Sequence, residues 1–276
     1  MSFMGSVSPT PALVQMKSGE GLPPIVIAHG LSGTIQVTKL ALNVETPRPI
    51  YGIQAKGLDG LGEPFDRVEN MAEHYMGAID ERCQHGPCIL IGYSFGGLVA
   101  LEIAQCYASK GKPVPMLILL DTYPHPRFMP WKWRASLFAR RMLIHAQRVK
   151  QLPLRDAISY FVSGAKRKGI GEKALERTTP ELVEPRTLAF RKEARRRVNL
   201  YAYRAYENYR PRYYPGKISF VTTSEKTFFP GDPFQIWDPL TKEFEMETIP
   251  GNHLNILTTE FLPLAAVLSQ YLQKVT

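Results

Sequence analysis

Short apolar runs recur along this chain, and most are followed by stretches in which apolar side chains return every three or four residues. The runs Ala12–Met16, Pro24–His29, Ile50–Gln54, Cys88–Gly92, Met116–Asp121, Ile218–Thr223 and Phe244–Ile249 predict strands. They are rich in Val, Ile and Leu without strict alternation. That suits strands covered on both faces, and so a mostly parallel sheet. Asp66-Arg67-Val68-Glu69 has the spacing of a capping box, and Met71, Ala72, Tyr75, Met76 and Ile79 behind it fall on one helical face. A second helix is predicted from Gly96 to Lys110 and a third from Leu254 to Gln273. Strands alternating with helices in this way predict an α/β protein with a doubly wound sheet.

The alternation stops between residues 127 and 212. That segment has three or four helical stretches, around 131–149, 153–167 and 180–208, with Gly- and Pro-containing joints and no convincing strand. Helices inserted between two strands predict a lid over the carboxyl edge of the sheet. Residues 1–126 and 213–276 then form the core, and 127–212 a helical insertion in the same domain. Charge sharpens the division. The insertion has 22 Lys and Arg against 7 Asp and Glu, a surplus of 15, while the other 190 residues carry 12 against 18. A basic insertion in an acidic body predicts one face that meets an acidic partner.

Composition adds exclusions. With 276 residues, 44% hydrophobic and 21% charged, the chain is long enough to bury a sizeable core. Its 13 Phe and 13 Tyr exclude a coiled coil, a collagen-like repeat and a disordered chain. No apolar run approaches the ~20 residues that cross a bilayer. The start Met1-Ser-Phe-Met-Gly-Ser6 lacks a basic segment followed by an apolar stretch. Three cysteines (Cys83, Cys88 and Cys106) leave an odd one out and have no CxxC spacing. Reduced thiols in a cytoplasmic protein are expected.

The strongest chemical signal is Ile89-Leu-Ile-Gly92-Tyr93-Ser94-Phe95-Gly96-Gly97-Leu98, a GxSxG motif entered from a buried strand and left by a helix. This context predicts a nucleophile elbow, with Ser94 Oγ at the helix N-terminus and the Phe95 N–H aimed at an oxyanion. A serine needs a base, and the base needs an orienting carboxylate. Of six histidines, His253 lies just after the last strand and before the terminal helix. His29 ends a strand in His29-Gly30-Leu31-Ser32-Gly33, a loop that can offer the Leu31 N–H as a second oxyanion donor; His29 itself reads as structural. His74, His85 and His145 fall in helical or surface patterns, and His125 can line a pocket. Two carboxylates compete for the acid. Asp121 ends a buried strand, where its charge needs a partner. Asp232, in Phe229-Pro-Gly-Asp-Pro233, follows the strand Ile218–Thr223, and that sequence also makes a plain solvated turn. Either choice gives the chain order Ser, Asp, His.

These motifs together resemble the thioesterase domains that end nonribosomal peptide and polyketide synthetases. The likeness rests on Gly92-Tyr-Ser94-Phe-Gly-Gly97, on Leu120-Asp121 placed 27 residues after the serine, and on Pro250-Gly-Asn-His253. It continues through Asn199-Leu-Tyr-Ala202, Tyr209-Arg-Pro211, Tyr214-Pro-Gly216 and Trp237, and is weakest from Arg127 to Ala194. The resemblance implies an α/β-hydrolase fold with a helical lid, and it favours Asp121 over Asp232 as the acid. The family often has His-Pro-Ala where this chain has His29-Gly30-Leu31. No Asp-Ser-Leu carrier signature occurs, as expected of a free-standing enzyme or an excised terminal domain.

The implied reaction is acyl transfer. His253, oriented by Asp121, takes the Ser94 proton as Oγ attacks a phosphopantetheine thioester, and Phe95 and Leu31 hold the oxyanion. No metal or resident cofactor is expected; phosphopantetheine enters only as part of the substrate. An acyl or peptidyl carrier protein is the expected partner, either free or as part of a synthetase assembly. A carboxylester or acyl-CoA hydrolase would use the same triad. A more distant alternative takes Arg191–Tyr214, where Lys and Arg interleave with tyrosines, as a nucleic-acid surface. No nucleic acid and no membrane span are expected.

Overall fold

A computed structural model describes residues 11–33, 37–83, 86–129, 131–150, 185–225 and 231–275. Among these, seven strands form one sheet: β1 (Leu13–Lys17), β2 (Ile25–Ala28), β3 (Ile50–Ile53), β4 (Ile89–Tyr93), β5 (Leu117–Leu120), β6 (Tyr214–Glu225) and β7 (Thr241–Asn252). Their spatial order is β1-β3-β2-β4-β5-β6-β7. β1 pairs antiparallel with β3, and every other pair is parallel. All four residues of β2, β3 and β5 are buried. Their unbroken apolar runs follow from that two-sided burial.

Successive side chains point to opposite faces. Val26, Leu90, Leu117 and Phe220 pack under α2 (Val68–Arg82) and α3 (Phe95–Ser109). Ile25, Ile89, Ile118 and Val221 pack under α1 (Thr38–Asn43) and α7 (Phe261–Gln273). The three cysteines are free thiols. No described helix is long and apolar enough to cross a membrane.

Two helix starts differ from the sequence expectation. The N-cap of α2 is Arg67, without a side-chain cap, so Asp66 lies one residue outside a capping box. Glu69 falls in the first turn and faces Arg67 at 3.5 Å, where its charge still suits the helix dipole. The terminal helix begins at Phe261 rather than Leu254. Asn252 Oδ1 accepts from Leu254 N at 3.0 Å, and Asn255 Oδ1 accepts from Asn252 N at 2.6 Å. These local bonds compete with helical ones, and Pro263 suits the first turn of the later start.

The connection from β5 to β6 contains a 3₁₀ turn (Pro126–Phe128), α4 (Trp131–Lys150) and α5 (Pro185–Asn208). The stretches expected at 153–167 and 180–184 lie outside the described residues. Ala194, Val198, Ala202 and Ala205 bury one face of α5. Val198 Cγ1 lies against Gly33, and Tyr206 Oη donates to Pro124 O at 3.1 Å. α5 therefore crosses the loops that follow β2 and β5, at the carboxyl edge of the sheet.

Candidate active site

Ser94 joins β4 to α3 with φ 54 and ψ −121, a left-handed conformation that non-glycine residues rarely adopt. Glycines make the turn possible by close approach. A Cβ on Gly96 would lie 2.2 Å from the His29 carbonyl oxygen, and one on Gly97 would lie 2.0 Å from Thr122 Oγ1. The Ser94 N–H donates to Leu120 O at 2.9 Å, which ties the elbow to the end of β5. Phe95 is the first residue of α3, so its N–H belongs to the turn that has no intrahelical acceptor.

Asp121 follows β5 and also has a positive φ, 43. It is buried, and its Oδ2 lies 2.7 Å from His253 Nδ1 while its Oδ1 accepts from Thr222 Oγ1 at 3.3 Å. The neighbouring backbone is held by Trp237, which is fully buried and whose Nε1 donates to Thr122 O at 3.0 Å. Asp232 is exposed and caps α6 (Pro233–Trp237), accepting from Phe234 N at 3.0 Å. Of the two candidate carboxylates, Asp121 is thus the one bonded to His253.

Tyr93 is a site residue that the sequence reading did not single out. Its ring stacks on His253 with centroids 5.2 Å apart, and its hydroxyl donates to the His253 carbonyl at 2.5 Å. Burial, reinforced by the Asp121 charge, raises the phenol pKa, so the hydroxyl stays a donor. Thr222, in the C-terminal half of β6, was likewise missed. An aromatic in the second position of GxSxG is a faint signal for the first; for Thr222 the sequence has none.

The remaining candidates divide. Leu31 is half-buried and packs on the core, and a Cβ on the preceding Gly30 would lie 3.8 Å from Ser94 Cβ. That brings the Leu31 loop beside the serine. His29 is buried, with Nδ1 2.7 Å from Gly30 O. His125 packs against Tyr206 and Tyr203 of α5 with centroids 5.1 and 6.5 Å away. Tyr206 also meets the Phe95 ring edge-on at 6.4 Å, so α5 supplies an aromatic wall beside the elbow. His74 is exposed on α2, His85 lies outside the described residues, and so does the side chain of His145. In the basic stretch, Tyr209 bonds to Glu102 at 2.8 Å and Tyr214 is buried, leaving Tyr203 and Tyr213 as its exposed tyrosines. Two of the six rings proposed for base stacking are thus taken up by the core.

An antiparallel first strand, a parallel remainder whose central strands are buried on both faces, and a serine elbow after the central β4 define an α/β-hydrolase fold. The sequence model of the thioesterase domain matches residues 23–274, and the chain belongs to that family. A nonribosomal peptide synthetase of Aspergillus terreus, pngA, is 29% identical over 181 residues, 64% of this chain and 17% of that protein. A dimodular nonribosomal peptide synthase of Bacillus subtilis is 32% identical over 128 residues, 46% of this chain and 5% of that protein. The chain thus spans under a fifth of the length of these relatives. Among solved structures, the NocB thioesterase domain in covalent complex with a fluorophosphonate nocardicin G analogue has a TM-score of 0.64 at 19% identity, covering 94% of this chain and 99% of that one. The Vlm2 thioesterase domain has a TM-score of 0.58 at 22% identity, covering 96% and 98%.

Proposed function

We propose that this thioesterase releases an acyl, polyketide or peptidyl chain from the phosphopantetheine arm of a carrier protein, through an acyl-enzyme on Ser94. The observation that carries the reading is the 2.7 Å contact of His253 with buried Asp121, one residue past the strand that anchors the Ser94 amide. His253 Nε2 takes the hydroxyl proton as Oγ attacks the thioester carbon. The tetrahedral oxyanion is held by the N–H groups of Phe95 and Leu31, each worth roughly 10²–10³ in rate. The C–S bond breaks, and His253 returns the proton to the departing pantetheine thiolate. Water, or a hydroxyl or amine of the bound chain, then attacks the ester carbon with His253 again as base, and Ser94 leaves. Asp121 accepts a hydrogen bond from the Nδ1–H and stabilises the imidazolium without taking its proton. The helices of residues 127–212 are read as an insertion of the same domain, with α5 roofing the site.

Intact mass spectrometry after exposure to a panel of acyl-pantetheine thioesters tests this reading. A mass increase equal to the acyl group, mapped to Ser94, is expected. Turnover without any Ser94 adduct, and undiminished in Ser94→Ala, would overturn it. Faster turnover of simple esters than of pantetheine thioesters would make the protein a carboxylester hydrolase on the same residues.

A further inference from the structure

We infer that His29 is a positioning residue for the oxyanion site: its imidazole pins the Gly30–Leu31 peptide so that the Leu31 N–H faces the reacting carbonyl. This rests on the reading of Leu31 given above.

The loop after β2 is pressed against the elbow. The His29 carbonyl abuts the start of α3, where a Cβ on Gly96 would meet it at 2.2 Å. A Cβ on Gly30 would lie 3.3 Å from the Tyr93 ring and 3.8 Å from Ser94 Cβ. The peptide linking Gly30 to Leu31 therefore sits beside the nucleophile.

The protonation of His29 follows from its surroundings. Nδ1 lies 2.7 Å from Gly30 O, and a carbonyl oxygen only accepts, so Nδ1 carries a proton. Among the described residues, Nε2 is buried without a hydrogen-bond partner. Burial lowers the imidazole pKa, which keeps the ring neutral with its single proton on Nδ1.

Gly30 O accepts a second bond, from Gly33 N at 3.2 Å. In a planar trans peptide the C=O and the following N–H point in opposite directions. Two donors on Gly30 O therefore fix the direction of the Leu31 N–H before substrate arrives, as electrostatic preorganisation requires. A space-filling role would be met better by an apolar side chain, which would leave no orphaned Nε2.

The test compares three variants on the hexanoyl thioester of N-acetylcysteamine. His29→Leu removes the donor. His29→Asn keeps an amide N–H at the Nδ1 position, and His29→Gln moves it out to the Nε2 position. His29→Leu and His29→Gln should lower kcat roughly 10- to 100-fold, with KM within about twofold, while His29→Asn stays within about threefold of wild type. The melting temperature of His29→Leu should equal or exceed wild type. The inference is overturned if His29→Leu keeps its kcat, if His29→Asn falls as far as His29→Leu, or if activity loss tracks melting temperature. Should His29→Leu fail to fold, the contrast between Asn and Gln decides the matter. Labelling of the wild type by a fluorophosphonate separates the two levels. A Ser94 adduct alongside variants indifferent to His29 defeats this inference alone; no adduct at Ser94 overturns the nucleophile reading and this inference together.

Discussion

His253 Nδ1 and Asp121 Oδ2 lie 2.7 Å apart although 132 residues separate them in the chain. The pair is assembled from both ends. Asp121 is turned by its positive φ at the end of β5 and receives a second bond from Thr222. His253 is held by the ring and the hydroxyl of Tyr93. The serine elbow begins at that same tyrosine, so the residue that holds the base adjoins the nucleophile in the chain.

Asp121→Asn should therefore lower kcat by roughly 10⁴, since an amide at this position favours the wrong tautomer of His253. Asp232→Asn should leave kcat within about twofold, because asparagine caps a helix as well as aspartate does. Steady-state kinetics of the two variants on one thioester decides between the carboxylates. A larger loss in Asp232→Asn would move the acid to the loop after β6.

Ser94→Ala should abolish turnover and leave the fold intact, because the turn is set by Gly92, Gly96 and Gly97 rather than by Oγ. Ser94→Gly should be equally inactive yet more stable by about 1 kcal/mol, since glycine relieves a φ of 54. Urea denaturation of both variants checks this. A Ser94→Gly variant less stable than wild type would mean that the elbow stores no backbone strain.

Gly96→Ala tests the contact between α3 and the loop after β2. Its methyl would fall 2.2 Å from His29 O and 2.5 Å from Ala28 O, both backbone atoms that cannot swing aside. The helix must move off β2, at a cost of about 1–3 kcal/mol. That movement also spreads the Phe95 and Leu31 N–H groups, so kcat should fall far more than KM rises. A variant with full stability and full kcat would show that the two oxyanion donors are not set by this contact.

The elbow was legible because strand, glycines and helix lie contiguous in sequence, where local rules act. The same holds for the order of strands and helices. Long-range relationships were not legible. That Tyr93 stacks on His253 depends on the packing of β4 against the loop after β7. Thr222 becomes a partner of Asp121 only once β5 and β6 pair. The start of the terminal helix was misplaced because apolar periodicity carries no record of the side-chain bonds between Asn252 and Asn255. The choice between Asp121 and Asp232 likewise stays open in the residues alone. Both follow strands, and the hydrogen bond to His253 that distinguishes Asp121 comes from the fold.

The basic face of α5 should dock an acidic carrier protein that delivers the thioester. Arg191, Lys192 and Arg195 are exposed in the N-terminal half of α5, on the turns that surround buried Ala194 and lead into the buried stripe of Val198 and Ala202. Because α5 crosses the loops beside Ser94, a partner attracted to this face arrives near the site. Arg196 is less informative to change, since it already pairs with Glu193 at 2.9 Å. Attraction between opposite faces acts mainly on the association rate, and salt screens it over a Debye length of about 8–10 Å near physiological ionic strength. Converting Arg191, Lys192 and Arg195 to glutamate should therefore lower kcat/KM for a carrier-bound substrate by roughly 10-fold at low salt, with the loss shrinking as salt is raised. Activity on an uncharged N-acetylcysteamine thioester should stay within about twofold, because that substrate meets no long-range field. Equal losses on both substrates would mean that the substitutions disturb the wall beside the elbow, and no loss on either would leave the charge without a docking role.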